Sequence, residues 1–151
     1  MEGIPVRKVF AIVAVLLAIS AMLQLYFAAV GVFSNPDDDL FAIHGFNGEY
    51  VVRFLPLLLI IVGAIAKVGR RLIWLCVWVI VGTLVQLLLF ILTGAIFGIS
   101  EGSADVPLGA SLLLGLHGLV GLAIIGLSVE IARRGVLLGF PRAPKEATPA
   151  T

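Results

Sequence analysis

The chain has 151 residues, of which 61% are apolar and 13% are charged, and its formal net charge is +1. A soluble domain of this size cannot bury that much apolar surface, so the composition indicates an integral membrane protein. The near-neutral charge gives no electrostatic basis for binding nucleic acid. The single cysteine, Cys76, excludes an internal disulfide and a cysteine-based metal cluster. A chain of this length has room for one domain and not for an additional soluble catalytic domain, so any catalysis is expected to come from a cofactor or from intramembrane side chains.

Four apolar segments predict four transmembrane helices, because each can span about 30 Å of hydrocarbon at about 1.5 Å per residue. The predicted helices cover residues 9–33, 36–66, 72–98 and 106–132. Asn35 is the expected N-cap of the second helix, with Pro36 in its first turn, and Pro56 should kink it. Residues 1–134 are thus predicted to form one four-helix domain, and residues 135–151 a disordered cytoplasmic tail.

The basic residues are distributed unevenly along the chain. All but Arg53 lie near the two termini or in the turn between the second and third helices. The other two loops contain aspartate and glutamate but no lysine or arginine. By the positive-inside rule, both termini face the cytoplasm and both acidic loops face outward. The predicted fold is an all-α integral membrane four-helix bundle in up-down order.

The four helices also form two similar hairpins. The first contains Gln24, an acidic loop and the segment His44–Gly48, which reads His-Gly-Phe-Asn-Gly. The second contains Gln86, an acidic loop and the segment His117–Gly121, which reads His-Gly-Leu-Val-Gly. Each hairpin ends at a basic cluster. The pattern predicts a parallel repeat related by an axis along the membrane normal.

The two histidines, His44 and His117, are the candidate metal ligands. Helical periodicity places Gly48 one turn from His44 and Gly121 one turn from His117. A flat haem ring requires a histidine ligand and, beside it, a helix surface without a side chain. Each of these two membrane helices offers both. We therefore expect one haem b, ligated by both histidines near the outer leaflet, with the two glycines against the porphyrin.

The depths of the two histidines agree only in part. His44 lies nine residues after Asn35 and His117 twelve after Asp105, so the outer ends give similar depths. Measured from the basic inner ends, at Lys67 and Arg133, the two depths differ by about 10 Å. Tilt or a kink of the second helix is needed to reconcile them.

Amide side chains complete the candidate site. Gln24, Gln86 and Asn47 are expected to orient the imidazoles or to hydrogen-bond a ligand. Glu49 and Arg53 are four residues apart and are expected to pair with each other. A purely structural interpretation stays open, in which the histidines hydrogen-bond across the bundle and the glycines permit close packing.

The chain resembles a family of small uncharacterised bacterial membrane proteins with four helices. The resemblance rests on Phe41–Gly45 with Gly48, and on Leu116-His117 with the apolar run to Arg133-Arg134, and it covers residues 9–134. It implies a fold, a topology and a bacterial cell membrane location, but no function. The histidine pattern is also similar to that of four-helix transmembrane b-type cytochromes, which commonly have two histidine pairs for two haems. With one pair, this resemblance implies a single haem.

Three functions are compatible with these features. The first is a single-haem b-type protein that passes electrons between quinone and an outer partner, or senses redox state. The second is an accessory or assembly subunit without a cofactor, which packs on a larger membrane complex through its glycine-rich faces. The third is a small oligomeric transporter with Glu49 and Arg53 lining the path. The expected partners are the lipid bilayer and either a membrane protein partner or further copies of the chain.

Overall fold

A computed structural model describes residues 6–100 and 103–141 of the chain. Four long helices make up most of this part: α1 is Val6–Phe33, α2 is Phe41–Ala66, α3 is Arg70–Phe97 and α4 is Leu108–Gly139. Each is long and apolar enough to cross a membrane. No strand occurs in the described ranges. The predicted all-α, four-helix membrane bundle is confirmed.

The helices form a ring in which each packs against two neighbours. α1 lies between α2 and α4, and α3 closes the ring on the opposite side. Consequently α2 and α4, the two helices that carry the histidines, lie diagonally across the bundle from each other. Glycines permit several of the contacts: a Cβ atom on Gly82 would lie 2.8 Å from the Ile124 side chain, and one on Gly135 would lie 3.2 Å from Phe10.

Apart from Arg53, the basic residues of the described segments gather at one end of the bundle. Arg7 donates a hydrogen bond of 3.2 Å to the carbonyl of Ala66, at the end of α2. The ammonium of Lys8 lies 5.7 Å from the centre of the Phe140 ring, just after α4. The starts of α1 and α3 and the ends of α2 and α4 therefore share this basic end, as the loop charges predicted.

The tightly packed core lies in the half of the bundle next to the basic end. On α1 the buried residues run from Phe10 to Ala21, and on α4 all but Ala110 lie between Ile124 and Gly139. Because lipid is as apolar as these side chains, close packing rather than burial from water stabilises this half. Between Ser111 and Ala123 no residue of α4 is buried. The half towards the acidic loops is therefore packed less tightly.

The start of α2 differs from the prediction. Pro36–Asp38 forms a separate 3-10 turn, in which the Asn35 side chain donates to Asp38 at 3.3 Å. Asp39 then takes a left-handed backbone conformation with φ of 47°, which no α-helix can include. The helix consequently begins at Phe41, and the prediction that Asn35 caps it was wrong.

The middle of α2 is π-helical over Asn47–Val52. Pro56 follows inside the same helix and has no N–H to offer the carbonyl of Val52. A π segment changes the direction in which the flanking residues point, and such segments are frequent at functional sites. The sequence predicted a kink at Pro56 and gave no sign of this change of helical geometry.

The end of α4 also differs from the prediction. The helix continues to Gly139, so the expectation of a disordered tail was wrong for residues 135–139. The cause is packing against α1: a Cβ atom on Gly139 would lie 2.9 Å from both the Ala11 side chain and the Arg7 carbonyl. The rest of the predicted tail, residues 142–151, lies outside the described residues, as do residues 1–5 and 101–102.

Candidate functional site

His44 and His117 face each other across the bundle. Their ring centroids are 6.0 Å apart, and the ring planes are inclined by 57°. The two imidazoles extend from the diagonal helices α2 and α4 into the space between them. The structure thus brings together two residues that are far apart in sequence and lie on helices that do not pack against each other.

The two histidines lie at matching depth. His44 is 22 residues before Ala66, where α2 ends, and His117 is 22 residues before Gly139, where α4 ends. The mismatch expected from the sequence arose because the inner end of α4 was placed too early. With the observed helix ends, no special tilt is needed to bring the rings to one level.

His44 is held by the backbone of α1. Its Nδ1 atom lies 3.0 Å from the main-chain oxygen of Gln24. Because a carbonyl only accepts hydrogen bonds, Nδ1 must carry the hydrogen and donate it. In the neutral imidazole, Nε2 then carries a lone pair. The ring of Phe41, one turn earlier on α2, lies 5.1 Å from the His44 ring.

Asn47 connects α1 and α2 below His44. Its Oδ1 accepts from the Ser20 hydroxyl at 2.7 Å, and its Nδ2 donates to the Ser20 carbonyl at 3.0 Å and to Gln24 Oε1 at 2.8 Å. Ser20 and Asn47 are both buried. Ser20 was not among the predicted site residues, although its spacing of four residues from Gln24 was a usable signal.

The two glycines of the repeat face the glutamines of the preceding helices. A Cβ atom on Gly48 would lie 2.5 Å from Gln24 Nε2, and one on Gly121 would lie 3.5 Å from Gln86 Nε2. The patches expected to receive a porphyrin are therefore occupied by amide side chains. The reason is direction: one turn from each histidine, the helix surface faces its neighbour in the same hairpin rather than the centre of the bundle.

The second hairpin has fewer polar contacts than the first. Gln86 Oε1 and His117 Nδ1 are buried and have no hydrogen-bond partner in the described part of the chain. Val120 stands where the repeat has Asn47 in the first hairpin, so no side-chain amide is available to hold Gln86. The ring of Phe90 lies edge-on to His117, with centroids 4.9 Å apart. This side of the site has unused hydrogen-bonding capacity.

Glu49 and Arg53 form the predicted pair, but at the long distance of 4.0 Å. The Glu49 side chain is 58% exposed and that of Arg53 is 26% exposed. Arg53 Nε is buried without a partner among the described residues. The pair lies near the middle of α2, where the surroundings of a membrane helix are hydrocarbon.

A metal site of the usual protein-only kind is not found in the described ranges. No three His, Cys, Asp or Glu residues there come close enough to share an ion. The available donor set is the pair of imidazoles. Such a pair suits a metal that receives its other ligands from a macrocycle.

Residues 24–96 match a protein family described as a family of unknown function (DUF6220). The chain is similar to this uncharacterised family over about the last third of α1, all of α2 and nearly all of α3. The DUF6220 match includes Gln24, His44 and Gln86, whereas His117 and Gly121 lie beyond it. No curated protein and no solved structure matches the chain. The comparison supports an uncharacterised protein with membrane-spanning helices.

Proposed function

We propose that this membrane protein binds a single haem b between α2 and α4, which His44 and His117 would hold. The observation that carries the proposal is the opposition of the two rings, with centroids 6.0 Å apart. Imidazole–metal bonds of about 2 Å on either side of one ion would put the ring centroids about 6 Å apart. The separation of the two side chains therefore suits one shared metal ion.

The surroundings of His44 suit a ligand that binds through Nε2. Metal-binding histidines commonly donate the hydrogen of their other ring nitrogen to a backbone carbonyl, which fixes the tautomer and the ring orientation. The contact of His44 Nδ1 with the Gln24 carbonyl, at 3.0 Å, is of this kind. Asn47 holds the Gln24 side chain and so stabilises the turn of α1 that supplies the carbonyl.

The surroundings of His117 support the same role. An imidazole bound through Nε2 carries a hydrogen on Nδ1 and needs an acceptor for it. His117 Nδ1 and Gln86 Oε1 are both buried without partners in residues 6–100 and 103–141, and Gln86 lies against Gly121, one turn from His117. We assign Gln86 as the residue that orients His117, the counterpart of Gln24 in the first hairpin.

The bundle is packed less tightly around the two histidines than in its basic half. The close-packed residues of α1 end at Ala21, and those in the basic half of α4 start at Ile124. Both positions lie on the side of the two glutamines that faces the basic end. Phe41 and Phe90 flank the two histidines with apolar surface. When bound, haem supplies one-electron redox chemistry, which suits electron transfer between quinone and an outer partner or redox sensing.

The proposal includes a location. The clustered basic residues at one end of the bundle favour that end as the cytoplasmic one by the positive-inside rule, with both termini on that side. The histidine pair would then lie in the outer leaflet of a bacterial cell membrane, within reach of a quinone in the bilayer and of a partner outside.

An absorption spectrum tests the proposal. Protein purified in detergent from haem-supplied cells should show a Soret band that shifts on reduction. The band should be lost in His44→Ala and in His117→Ala, and kept in Leu119→Ala, a matched control because Leu119 is 63% exposed and two residues from His117. Colourless wild-type protein that also fails to take up added haemin would overturn the proposal.

A second candidate is an accessory or assembly subunit without a cofactor. The observation that favours it is the Glu49–Arg53 pair, whose carboxylate is exposed on the surface of a membrane helix, where a second protein would be needed to cover it. It predicts a stable co-purifying partner and no Soret band. A small oligomeric transporter would use the same pair to line its path, and it predicts that Glu49→Gln abolishes uptake.

A further inference from the structure

The outer face of α2 carries two charges at a depth where a bilayer offers only hydrocarbon. Glu49 lies about 12 Å along the helix from Phe41, and Arg53 about 18 Å, at about 1.5 Å per residue. α2 has 26 residues, so Arg53 is close to its midpoint. Charged groups at such depth are costly unless another protein group or water receives them. With more than half of its side chain exposed, Glu49 is not covered by its own bundle.

The contact between the two charges leaves most of their binding capacity unused. An N–O distance of 4.0 Å is too long for a hydrogen bond. Arg53 Nε is itself buried, with no acceptor among the described residues, so only the exposed part of the side chain, 26%, can meet another copy. A guanidinium has five N–H donors and a carboxylate accepts about four hydrogen bonds, so the pair can engage further charges.

Three aromatic residues lie beside the charged pair. Phe46, Tyr50 and Phe54 are 62%, 52% and 55% exposed and follow one another at every fourth position. The rings of Phe46 and Tyr50 are 5.2 Å apart. Aromatic residues and arginine are enriched in the centres of protein–protein interfaces. Together with Glu49 and Arg53 they form one continuous surface, which we call the α2 face.

The α2 face is complementary to itself. All copies of a membrane protein with one topology are parallel, so two copies that pair do so about an axis along the membrane normal. Glu49 of one copy and Arg53 of the other then differ in depth by only one helical turn, about 5–6 Å. An arginine side chain spans that distance. Two carboxylates and two guanidiniums would thus form one closed network at the interface.

We propose that the α2 face is the interface of a homodimer, with a second copy of this chain as its occupant. Each Arg53 binds the partner copy's Glu49, while the aromatic residues pack around the charges and exclude lipid. The inference does not depend on haem, because the α2 face is separate from the contact between His44 and His117.

Charge reversal tests the pairing directly. Glu49→Arg gives two copies with only positive charge on the face, and Arg53→Glu gives two with only negative charge. Each variant alone should dimerise at least about tenfold more weakly than the wild type in lipid bilayers. Co-reconstituted, the two variants should restore dimerisation as a mixed pair, measured by energy transfer between labelled copies.

Cross-linking in intact membranes gives a second measurement on a chain with native charges. Tyr50→Cys should form a disulfide-linked dimer on mild oxidation, whereas Leu119→Cys on α4 should not. The native Cys76 is fully buried and provides no background. Monomeric wild-type protein in bilayers, or equal cross-linking at both positions, would overturn the proposal. So would a different membrane protein found cross-linked through Tyr50→Cys in place of a second copy.

Discussion

The amide nitrogen of Gln24 lies only 2.5 Å from the position that a Cβ atom on Gly48 would occupy. The second hairpin repeats the arrangement with Gln86 and Gly121, at a relaxed 3.5 Å. A repeat that reads as a histidine–glycine motif in the sequence is therefore, in the structure, a repeated contact between a glutamine and a glycine. The contact is tight in the first hairpin, where Asn47 fixes the glutamine, and loose in the second.

Replacing Gly48 by alanine should destabilise the protein. The new methyl group would displace the Gln24 amide, and moving that side chain breaks its hydrogen bond with Asn47. We expect a loss of about 1 kcal/mol in the free energy of unfolding. Thermal unfolding in detergent, followed by circular dichroism, measures it.

Gly121→Ala and Gly45→Ala are the matched controls for Gly48→Ala. At Gly121 a methyl group meets Gln86 at ordinary contact distance, and at Gly45 it meets nothing within 4 Å. Both should be neutral or slightly stabilising, since alanine favours the helix over glycine. Equal effects of all three substitutions would show that the Gln24–Gly48 contact has no special weight.

Asn47 should be the most sensitive polar residue of the first hairpin. Asn47→Ala removes three hydrogen bonds between α1 and α2 and leaves the buried Ser20 hydroxyl without its acceptor. Since interhelical hydrogen bonds in membrane proteins are modest, we expect a loss of roughly 1–3 kcal/mol. The measurement is again thermal unfolding in detergent.

Ser128→Ala is the control for Asn47→Ala. Ser128 is also buried, but its hydroxyl donates at 2.7 Å to the Ile124 carbonyl of its own helix. That carbonyl also accepts a backbone hydrogen bond within the helix, so Ser128→Ala should reduce the free energy of unfolding much less than Asn47→Ala does. A loss at Ser128 as large as that at Asn47 would contradict the assignment of Asn47 as a link between helices.

The sequence predicted those features of the fold that depend on one regular pattern of residues. Hydropathy gave the four helices, and the distribution of lysine and arginine indicated that the basic clusters share one end. The pairing of His44 with His117 followed from the repeat, because equivalent positions of two parallel hairpins lie symmetrically about the bundle axis. The Gln24 carbonyl contacts His44 and the Gln86 amide lies against Gly121, whereas the predicted role of the two glutamines in orienting the imidazoles stays a prediction.

The errors arose where tertiary contacts outweighed local preference. The left-handed Asp39 delayed the start of α2, and no residue pattern marked the π segment at Asn47–Val52. The arginines at the end of the apolar run of α4 suggested a helix end that packing against α1 moved by seven residues, to Gly139. Gly48 and Gly121 faced neighbouring helices because the direction of a side chain depends on how the helices are rotated in the bundle.

Gly139 should be essential for docking the end of α4 on α1. In Gly139→Ala the methyl group would lie 2.9 Å from the Arg7 carbonyl and 3.2 Å from the Cα atom of Lys8, and backbone atoms cannot move aside as a flexible side chain can. The last turn of α4 must therefore separate from α1, with an expected loss of about 1–2 kcal/mol in the free energy of unfolding.

Gly126→Ala, on the same helix with nothing within 4 Å of the new methyl, should leave stability unchanged or raise it. Hydrogen exchange of the amides at the end of α4 distinguishes the two cases, since faster exchange is expected there only in Gly139→Ala. Unchanged exchange in that variant would mean that α4 ends at this point without support from α1.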